Sequence, residues 1–151
     1  MARHTLAVVK TENKEIIKNN HKTFSSVIII TGGKRAIGTN EPSASVELLD
    51  EHGTLLCNLP NLPDERFGHT QTGLMACGGG NKSHGISTCV TFEDGSWTYT
   101  DLTEPRYLHT SWNSPQGVML LGGKSSKRTS EILTDTKDGQ WNSSFDLQYM
   151  T

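Results

Sequence analysis

The sequence predicts an all-β fold built from repeated units of four short antiparallel strands. Three apolar runs each end in a double glycine, and these pairs begin at residues 32, 78 and 122, so successive steps are 46 and 44 residues. After the second and third pairs, an Asp-Gly-x-Trp sequence places tryptophan 19 residues beyond the first glycine. A fixed period of about 20–50 residues is the signature of a repeat architecture, so this self-similarity determines the predicted fold.

Within one period, the first predicted strand starts in an Arg-x-x-His-Thr segment that follows a proline, as at 66–70 and 106–110. A glycine turn leads into the apolar run, which has so few polar residues that both of its faces are expected to be buried. The double glycine ends this run where the backbone turns sharply or approaches a neighbour. An alternating strand follows, and an Asp-Gly turn joins it to the strand that carries tryptophan. The landmark residues are Gly32, Gly33, Gly78, Gly79, Gly122, Gly123, Trp97 and Trp141.

Four antiparallel strands per 44 to 46 residues correspond to one blade of a β-propeller. We place three repeats at 27–72, 73–116 and 117–151. Residues 1–26 are interpreted as a polar segment or the remnant of a preceding blade, in which Arg3 to Thr5 is a damaged copy of the Arg-x-x-His-Thr element. A propeller closes with about 4–8 blades. The chain is therefore expected to be a piece of a longer protein, to complete a ring by self-association through its open blade edges, or to be a divergent short relative. We favour the first alternative.

Composition and charge make several classes of protein poor candidates. The chain has 14 Lys and Arg against 16 Asp and Glu, for a net charge of -2, so no strong field attracts nucleic acid or an anionic membrane. The longest apolar stretch, Val27 to Ile30, is far too short to cross a bilayer. The N-terminus as written has no apolar signal-peptide core, so we expect a cytoplasmic protein.

The cysteines predict neither a disulfide framework nor a metal site. Cys57, Cys77 and Cys89 cannot all pair within one chain and show no Cys-x-x-Cys spacing, so we expect small buried thiols and no cofactor. Two glycosylation sequons, Asn81-Lys82-Ser83 and Asn142-Ser143-Ser144, would matter only in a secreted protein. We interpret them as chance occurrences.

Together, the apolar strand ending in Gly-Gly, the tryptophan about 19 residues later and the step of about 45 residues resemble the kelch repeat of β-propellers. The resemblance covers Val27 to about Phe145, although the first copy lacks its tryptophan. It implies kelch-type blades in a partial propeller. Because the aromatic and histidine landmarks recur at fixed offsets, we expect Trp97 and Trp141 to pack between neighbouring blades, and His69 and His109 to hold local hydrogen bonds.

The resemblance implies a non-enzymatic module that binds a partner protein or peptide, often an acidic segment, through loops at one rim. Arg66 and Arg106 stand where relatives carry partner-binding arginines, although a recurring arginine can instead bridge neighbouring blades. Further basic candidates follow the glycine pairs, namely Lys34, Arg35, Lys124, Lys127 and Arg128. A ligase-adaptor role would need a separate domain, and the 26 residues before Val27 are too few to form one.

The rival hypothesis is a fragment of a kelch-propeller enzyme such as a copper-radical oxidase, which joins tyrosine, cysteine and histidine ligands at one copper ion. The residue types are present, but no spacing that we recognise brings them together. They are Tyr99, Tyr107, Cys57, Cys77, Cys89, His69 and His109. We therefore predict no enzyme.

Overall fold

The structure is a computed structural model that describes residues 5–10, 26–35, 41–115, 117–124, 129–134 and 141–146, the first and last of these ranges by their backbone. The described residues form twelve β-strands and no helix. In chain order the strands are β1 Thr5–Lys10, β2 Ser26–Thr31, β3 Val46–Leu49, β4 Leu55–Asn58, β5 Thr70–Thr72, β6 Met75–Cys77, β7 Thr88–Glu93, β8 Ser96–Asp101, β9 Thr110–Ser114, β10 Gly117–Leu121, β11 Thr129–Thr134 and β12 Trp141–Asp146. No helix in this part of the chain could serve as a membrane span.

The strands form three sheets of four, and each sheet is an antiparallel meander in which neighbours in sequence are neighbours in space. The first sheet contains β1 to β4, the second β5 to β8, and the third β9 to β12. Strand β5, which starts the second sheet, contacts both β1 and β9, the starting strands of the other two. The sheets therefore follow one another in chain order with their starting strands side by side.

The turn between β7 and β8 has the conformation that its sequence predicts. Asp94 and Gly95 both have positive φ angles, 49° and 81°, as a two-residue turn of type I′ requires. Glu93 pairs with Ser96 directly across this turn. The equivalent Asp138-Gly139 sequence lies outside the described residues.

The second sheet is covered on both faces. Ala76 and Val90 face the first sheet, where they meet Val27, Ile29 and Leu48. Met75, Cys77 and Cys89 face the third sheet, where they meet Leu120, and Leu102 from the segment that follows β8 joins the same cluster. All three residues of β6 are buried, so this apolar run has the two covered faces that its sequence predicts, whereas β2 alternates between buried and half-buried positions.

Trp97 packs between the first two sheets, as expected from its recurrence. Its ring lies against the core cluster that joins these sheets and 5.1 Å from the ring of Phe92. Its Nε1 donates a hydrogen bond to the carbonyl of Pro60, 3.0 Å away, in the segment that follows the first sheet. The side chain of Trp141 lies outside the described residues.

The sheet boundaries differ from the repeat boundaries placed on the sequence. Residue 73 falls between β5 and β6, and residue 117 falls between β9 and β10, so both boundaries lie inside a sheet. Likewise β1, within residues 1–26, pairs with β2 along its whole length and belongs to the first sheet rather than to a preceding one. The second and third sheets thus start at the threonine of an Arg-x-x-His-Thr element, and the first starts at Thr5 of its damaged copy, before the apolar run.

The expectation of three free thiols is wrong. Cys77 on β6 and Cys89 on β7 stand opposite each other in the antiparallel register and form a disulfide. Both are buried, whereas Cys57 is free and exposed. Three cysteines still allow one pair, and the register that joins this pair is formed only when β6 and β7 pair with each other.

Candidate functional site

One end of the three sheets gathers most of the predicted site residues. Because strand direction alternates in a meander, the loops after the second strands and the segments before the first strands emerge at the same end. This end carries the double glycines, the Arg-x-x-His-Thr elements and the basic residues that follow the glycine pairs. It is the candidate binding end of the molecule.

Arg66 is fully buried and joins the first sheet to the second. Its carbonyl accepts a hydrogen bond from Gly33 N, and its own N–H donates to Ser43 O, so its backbone is held by the first sheet. Its Nη1 donates to the carbonyls of Gly78 and Thr88, each 3.1 Å away, on the second sheet. Burial lowers the pKa of its guanidinium, and the charge of Asp64 partly opposes that effect.

Arg106 repeats this arrangement one sheet further along. Its carbonyl accepts from Gly79 N, and its Nη1 donates to the carbonyls of Gly122 and Thr129 on the third sheet. Its Nε donates to Oε1 of Glu131 at 2.7 Å, and both of these side chains are fully buried. In the second sheet Val90 takes the place of Glu131, and Arg66 Nε has no hydrogen-bond partner among the described residues.

These contacts correct the hypothesis that Arg66 and Arg106 bind a partner. A guanidinium with no exposed surface, held by carbonyl groups of the next sheet, is not available to an incoming peptide. The alternative, that the recurring arginine bridges neighbouring blades, describes the observed contacts. We therefore leave both arginines out of the candidate surface.

His69 and His109 are also buried, and each holds a side-chain hydrogen bond across sheets. His69 Nε2 lies 2.8 Å from Thr31 Oγ1 of the first sheet, and His109 Nε2 lies 2.9 Å from Thr70 Oγ1 of the second. Burial, with a smaller effect of the nearby arginine, lowers the pKa of His69 to about 3 and that of His109 to about 4. Both rings are therefore neutral at pH 7.

The glycine pairs make room for these histidines. A Cβ on Gly32 would lie 2.8 Å from Cε1 of His69, and a Cβ on Gly78 would lie 2.8 Å from Cε1 of His109. Gly79, the second glycine of the next pair, also lies close to His69, since a Cβ on Gly79 would be 3.0 Å from the Cβ of His69. Gly-Gly and Arg-x-x-His-Thr are thus two halves of one recurring contact between sheets.

Two lysines lie over aromatic rings at this end. Lys34 Nζ is 4.5 Å from the ring centroid of Phe67, and Lys124 Nζ is 5.7 Å from that of Tyr107. Both lysines directly follow a double glycine, and both aromatic residues directly follow a buried arginine. Such contacts contribute about 0.5–1 kcal/mol at exposed positions and hold a flexible lysine over the ring.

Leu108 adds an exposed apolar side chain between these two pairs. It is 63% exposed, and its φ of 54° lies in the left-handed region that favours glycine. Its N–H donates to the carbonyl of Gly68, which follows Phe67, and it directly follows Tyr107. We call Lys34, Phe67, Tyr107, Leu108 and Lys124 together the rim surface.

Arg35 is a basic candidate that we do not include in this surface. Arg35 is an exposed residue whose Nη2 pairs with Glu65 Oε1 at 2.9 Å and whose Nε donates to Pro42 O. Lys127 and Arg128 lie outside the described residues. Phe67 and Leu108 were not predicted as site residues, and Tyr107 was considered only as a copper ligand. The sequence does contain a sign of the unusual backbone at Leu108, because the preceding Arg-x-x-His-Thr element has a glycine, Gly68, at the same position.

The residues proposed for a copper site do not form a cluster in the part of the chain that is described. Two of the three cysteines are consumed by the disulfide. Tyr99 lies on the outer strand β8 and donates its hydroxyl to Asp64 Oδ2, whereas Tyr107 lies at the rim surface. The described residues contain no group of three or more His, Cys, Asp and Glu side chains placed to hold a metal ion.

Comparison with known proteins identifies the fold class and no family. No family model matches the chain, and no curated protein matches it. Among solved structures 80 chains match, including one titled "Structure of YjhT", with a TM-score of 0.63 and 16% sequence identity. That match covers 79% of this chain and 42% of the YjhT chain, so this chain spans less than half of YjhT. The protein is all-β in the part of the chain that the structure describes, with three four-stranded antiparallel sheets there.

Proposed function

We propose that the three sheets are consecutive blades of a kelch-type β-propeller and that the chain is a non-enzymatic module that binds a partner protein or peptide. The repeat of Gly-Gly, histidine and buried arginine supports the blade assignment, because each repeat makes the same contact with its neighbour. The position of β5 between β1 and β9 also supports it, since the innermost strands of successive blades adjoin one another.

The binding proposal rests on the grouping of side chains in the rim surface. Two ammonium groups, two half-buried aromatic rings and one strained, exposed leucine lie together where loops of neighbouring sheets meet. Backbone strain at an exposed side chain is commonly retained for function, because the fold itself gains nothing from it. Aromatic rings and an apolar side chain supply contact area, and the lysines supply charge around that area.

The partner that fits this surface is a peptide segment with one apolar side chain and acidic residues on either side of it. The apolar group would cover Leu108 and the edges of Phe67 and Tyr107. The carboxylates would lie near Lys34 and Lys124, where opposite charges at the edge of an interface favour association and set its orientation. Since the chain has a net charge of -2, this preference depends on the local lysines and not on the overall charge.

The test is a selection of binders from a phage-displayed library of random linear peptides on the purified chain. We expect the selected peptides to be enriched in an apolar residue flanked by Asp or Glu. A double variant, Lys34→Glu with Lys124→Glu, should lose at least tenfold in affinity for those peptides.

The control is Lys82→Glu, which reverses one exposed charge in the loop between β6 and β7, at the same end of the sheets but outside the rim surface. Affinity should be nearly unchanged in this variant, and circular dichroism and thermal melting should show that all variants fold. If the selected peptides are neutral or basic, or if the double variant binds them as the wild type does, the binding proposal is wrong.

A further inference from the structure

The loop between β6 and β7 presents a sequon at the surface. A bridge between Gly80 and Gly85 closes the loop, and Asn81, Lys82 and Ser83 follow one another inside it. Lys82 and Ser83 are exposed, and the hydrogen bonds of this loop lie in exposed positions. An Asn-x-Ser sequence on a surface loop is the acceptor sequence for N-linked glycosylation.

The side chains of this sequon already lie together. Ser83 N donates to Asn81 Oδ1 at 2.9 Å, and Ser83 Oγ donates to the same oxygen at 3.2 Å. His84 N is a third donor to this oxygen, at 3.0 Å. These three donors fix the orientation of the Asn81 side chain and hold the serine hydroxyl against its amide group.

The disulfide is an independent observation that points to the same modification. Cys89 lies opposite Cys77 on the neighbouring strand, and Cys77 precedes Asn81 by four residues. Structural disulfides form and persist in secretory and extracellular compartments and are rare in the cytosol. N-linked glycans belong to secreted proteins. A buried disulfide and a surface sequon are both typical of secreted proteins, so together they favour glycosylation over a chance occurrence of the sequon.

We propose that Asn81 is an acceptor site for an N-linked glycan. In the reaction, Nδ2 of Asn81 attacks the anomeric carbon of an oligosaccharide carried on a lipid pyrophosphate. A carbon–nitrogen bond forms, the carbon–oxygen bond to the pyrophosphate breaks, and Nδ2 loses one proton while the lipid pyrophosphate leaves. No group is oxidised or reduced in this step.

The second sequon is a natural comparison within the same chain. Asn142 lies in strand β12, where its backbone is paired with Ile132 of β11, whereas Asn81 lies in a loop. In the folded chain Asn81 Nδ2 makes one exposed contact, with His84 Nε2 at 3.2 Å. A glycan on Nδ2 would replace this contact and extend into solvent without displacing a core residue.

The experiment expresses the full chain behind a cleavable secretion leader in a eukaryotic host. Peptide mapping of the secreted protein under non-reducing conditions should show the Cys77–Cys89 disulfide, and the peptide that contains Asn81 should carry a glycan. Treatment with peptide N-glycosidase should remove that glycan and leave the mass mark of deamidation at Asn81.

Matched variants assign the glycan to this sequon. Asn81→Gln and Ser83→Ala should each abolish it completely, Ser83→Thr should retain it, and Asn142→Gln should leave it in place. An unmodified Asn81 in the secreted wild-type chain would overturn the proposal, and so would a map in which Cys77 and Cys89 are both free thiols. Wild-type mapping alone decides the outcome if a variant is not secreted.

Discussion

Leu108 and Gly68 occupy the same position in two successive repeats, and both have φ in the left-handed region, 54° for Leu108 and 63° for Gly68. They also touch, since Leu108 N donates to Gly68 O at 2.7 Å. This backbone conformation costs an L-residue about 1–2 kcal/mol, whereas glycine adopts it freely. Burial of the Leu108 side chain offsets little of this cost, because 63% of the residue is exposed. The fold alone would therefore favour glycine at this position.

Leu108→Gly should stabilise the protein and weaken peptide binding. We expect the free energy of unfolding to rise by about 0.5–1 kcal/mol, because relief of the strain outweighs the added freedom of the unfolded chain. Urea unfolding measures this change, and the affinity for peptides selected on the wild type measures the loss of binding. Leu108→Asn, which tolerates the left-handed region, should behave in the same way. Unchanged affinity in both variants would exclude Leu108 from the binding surface.

Substituting only one partner of the Arg106–Glu131 ion pair should lower the free energy of unfolding strongly. Glu131→Val, the residue found at this position in the second sheet, leaves the buried guanidinium with Glu104 as its remaining carboxylate partner and should destabilise the protein by about 3 kcal/mol. Arg106→Leu combined with Glu131→Val should cost less than the two single changes together, since neither charge is then left alone. A double-mutant cycle in urea measures the coupling. Additive costs would contradict the assigned pairing.

Acidification should destabilise the protein through its two buried histidines. Their pKa values are about 3 for His69 and about 4 for His109, below the ordinary value of 6.5, because burial disfavours the charged ring. Between about pH 6.5 and these values the unfolded chain binds protons that the folded chain does not, so the stability present above pH 6.5 is lost as the pH falls. Each histidine should account for about 2 kcal/mol between pH 6.5 and about pH 5.

Single variants separate the two histidines in this pH dependence. His69→Gln and His109→Gln should each lower the overall stability and remove about half of the slope of unfolding free energy against pH in this window. Chemical denaturation at several pH values measures the slope. A slope that is the same in the wild type and in both variants would show that other groups cause the acid sensitivity.

The features that could be predicted from the sequence are those set by local chemistry or by repetition. The apolar runs before Gly32, Gly78 and Gly122 are strands, and Asp94-Gly95 is a hairpin turn, because backbone conformation at these sites is fixed by neighbouring residues. The burial of Arg66 and the Cys77–Cys89 pair could not be predicted in the same way. Both depend on how one sheet or strand lies against the next, and a repeat of sequence letters does not contain that geometry.

The disulfide should contribute to stability through the short loop that it closes. Cys77 and Cys89 are 12 residues apart, and closing a loop of this length restricts the unfolded chain by about 3 kcal/mol. Reduction by dithiothreitol should therefore lower the free energy of unfolding by roughly that amount. The double variant Cys77→Ala with Cys89→Ala should be equally destabilised and insensitive to the reductant, while Cys57→Ser should match the wild type. Identical unfolding curves of the wild type with and without reductant would contradict this role.

Gly78→Ala should destabilise the protein more than Gly53→Ala, although both glycines have positive φ, 61° and 79°. A Cβ at Gly53 meets no atom within 4 Å, so Gly53→Ala should be destabilised by backbone strain alone, about 1–2 kcal/mol. A Cβ at Gly78 would press on Arg106 O and on His109 Cε1, which cannot retreat because the histidine is held between two sheets. Such overpacking adds about 1–3 kcal/mol. Equal losses in the two variants, measured by urea unfolding, would show that the close approach of His109 does not explain this glycine.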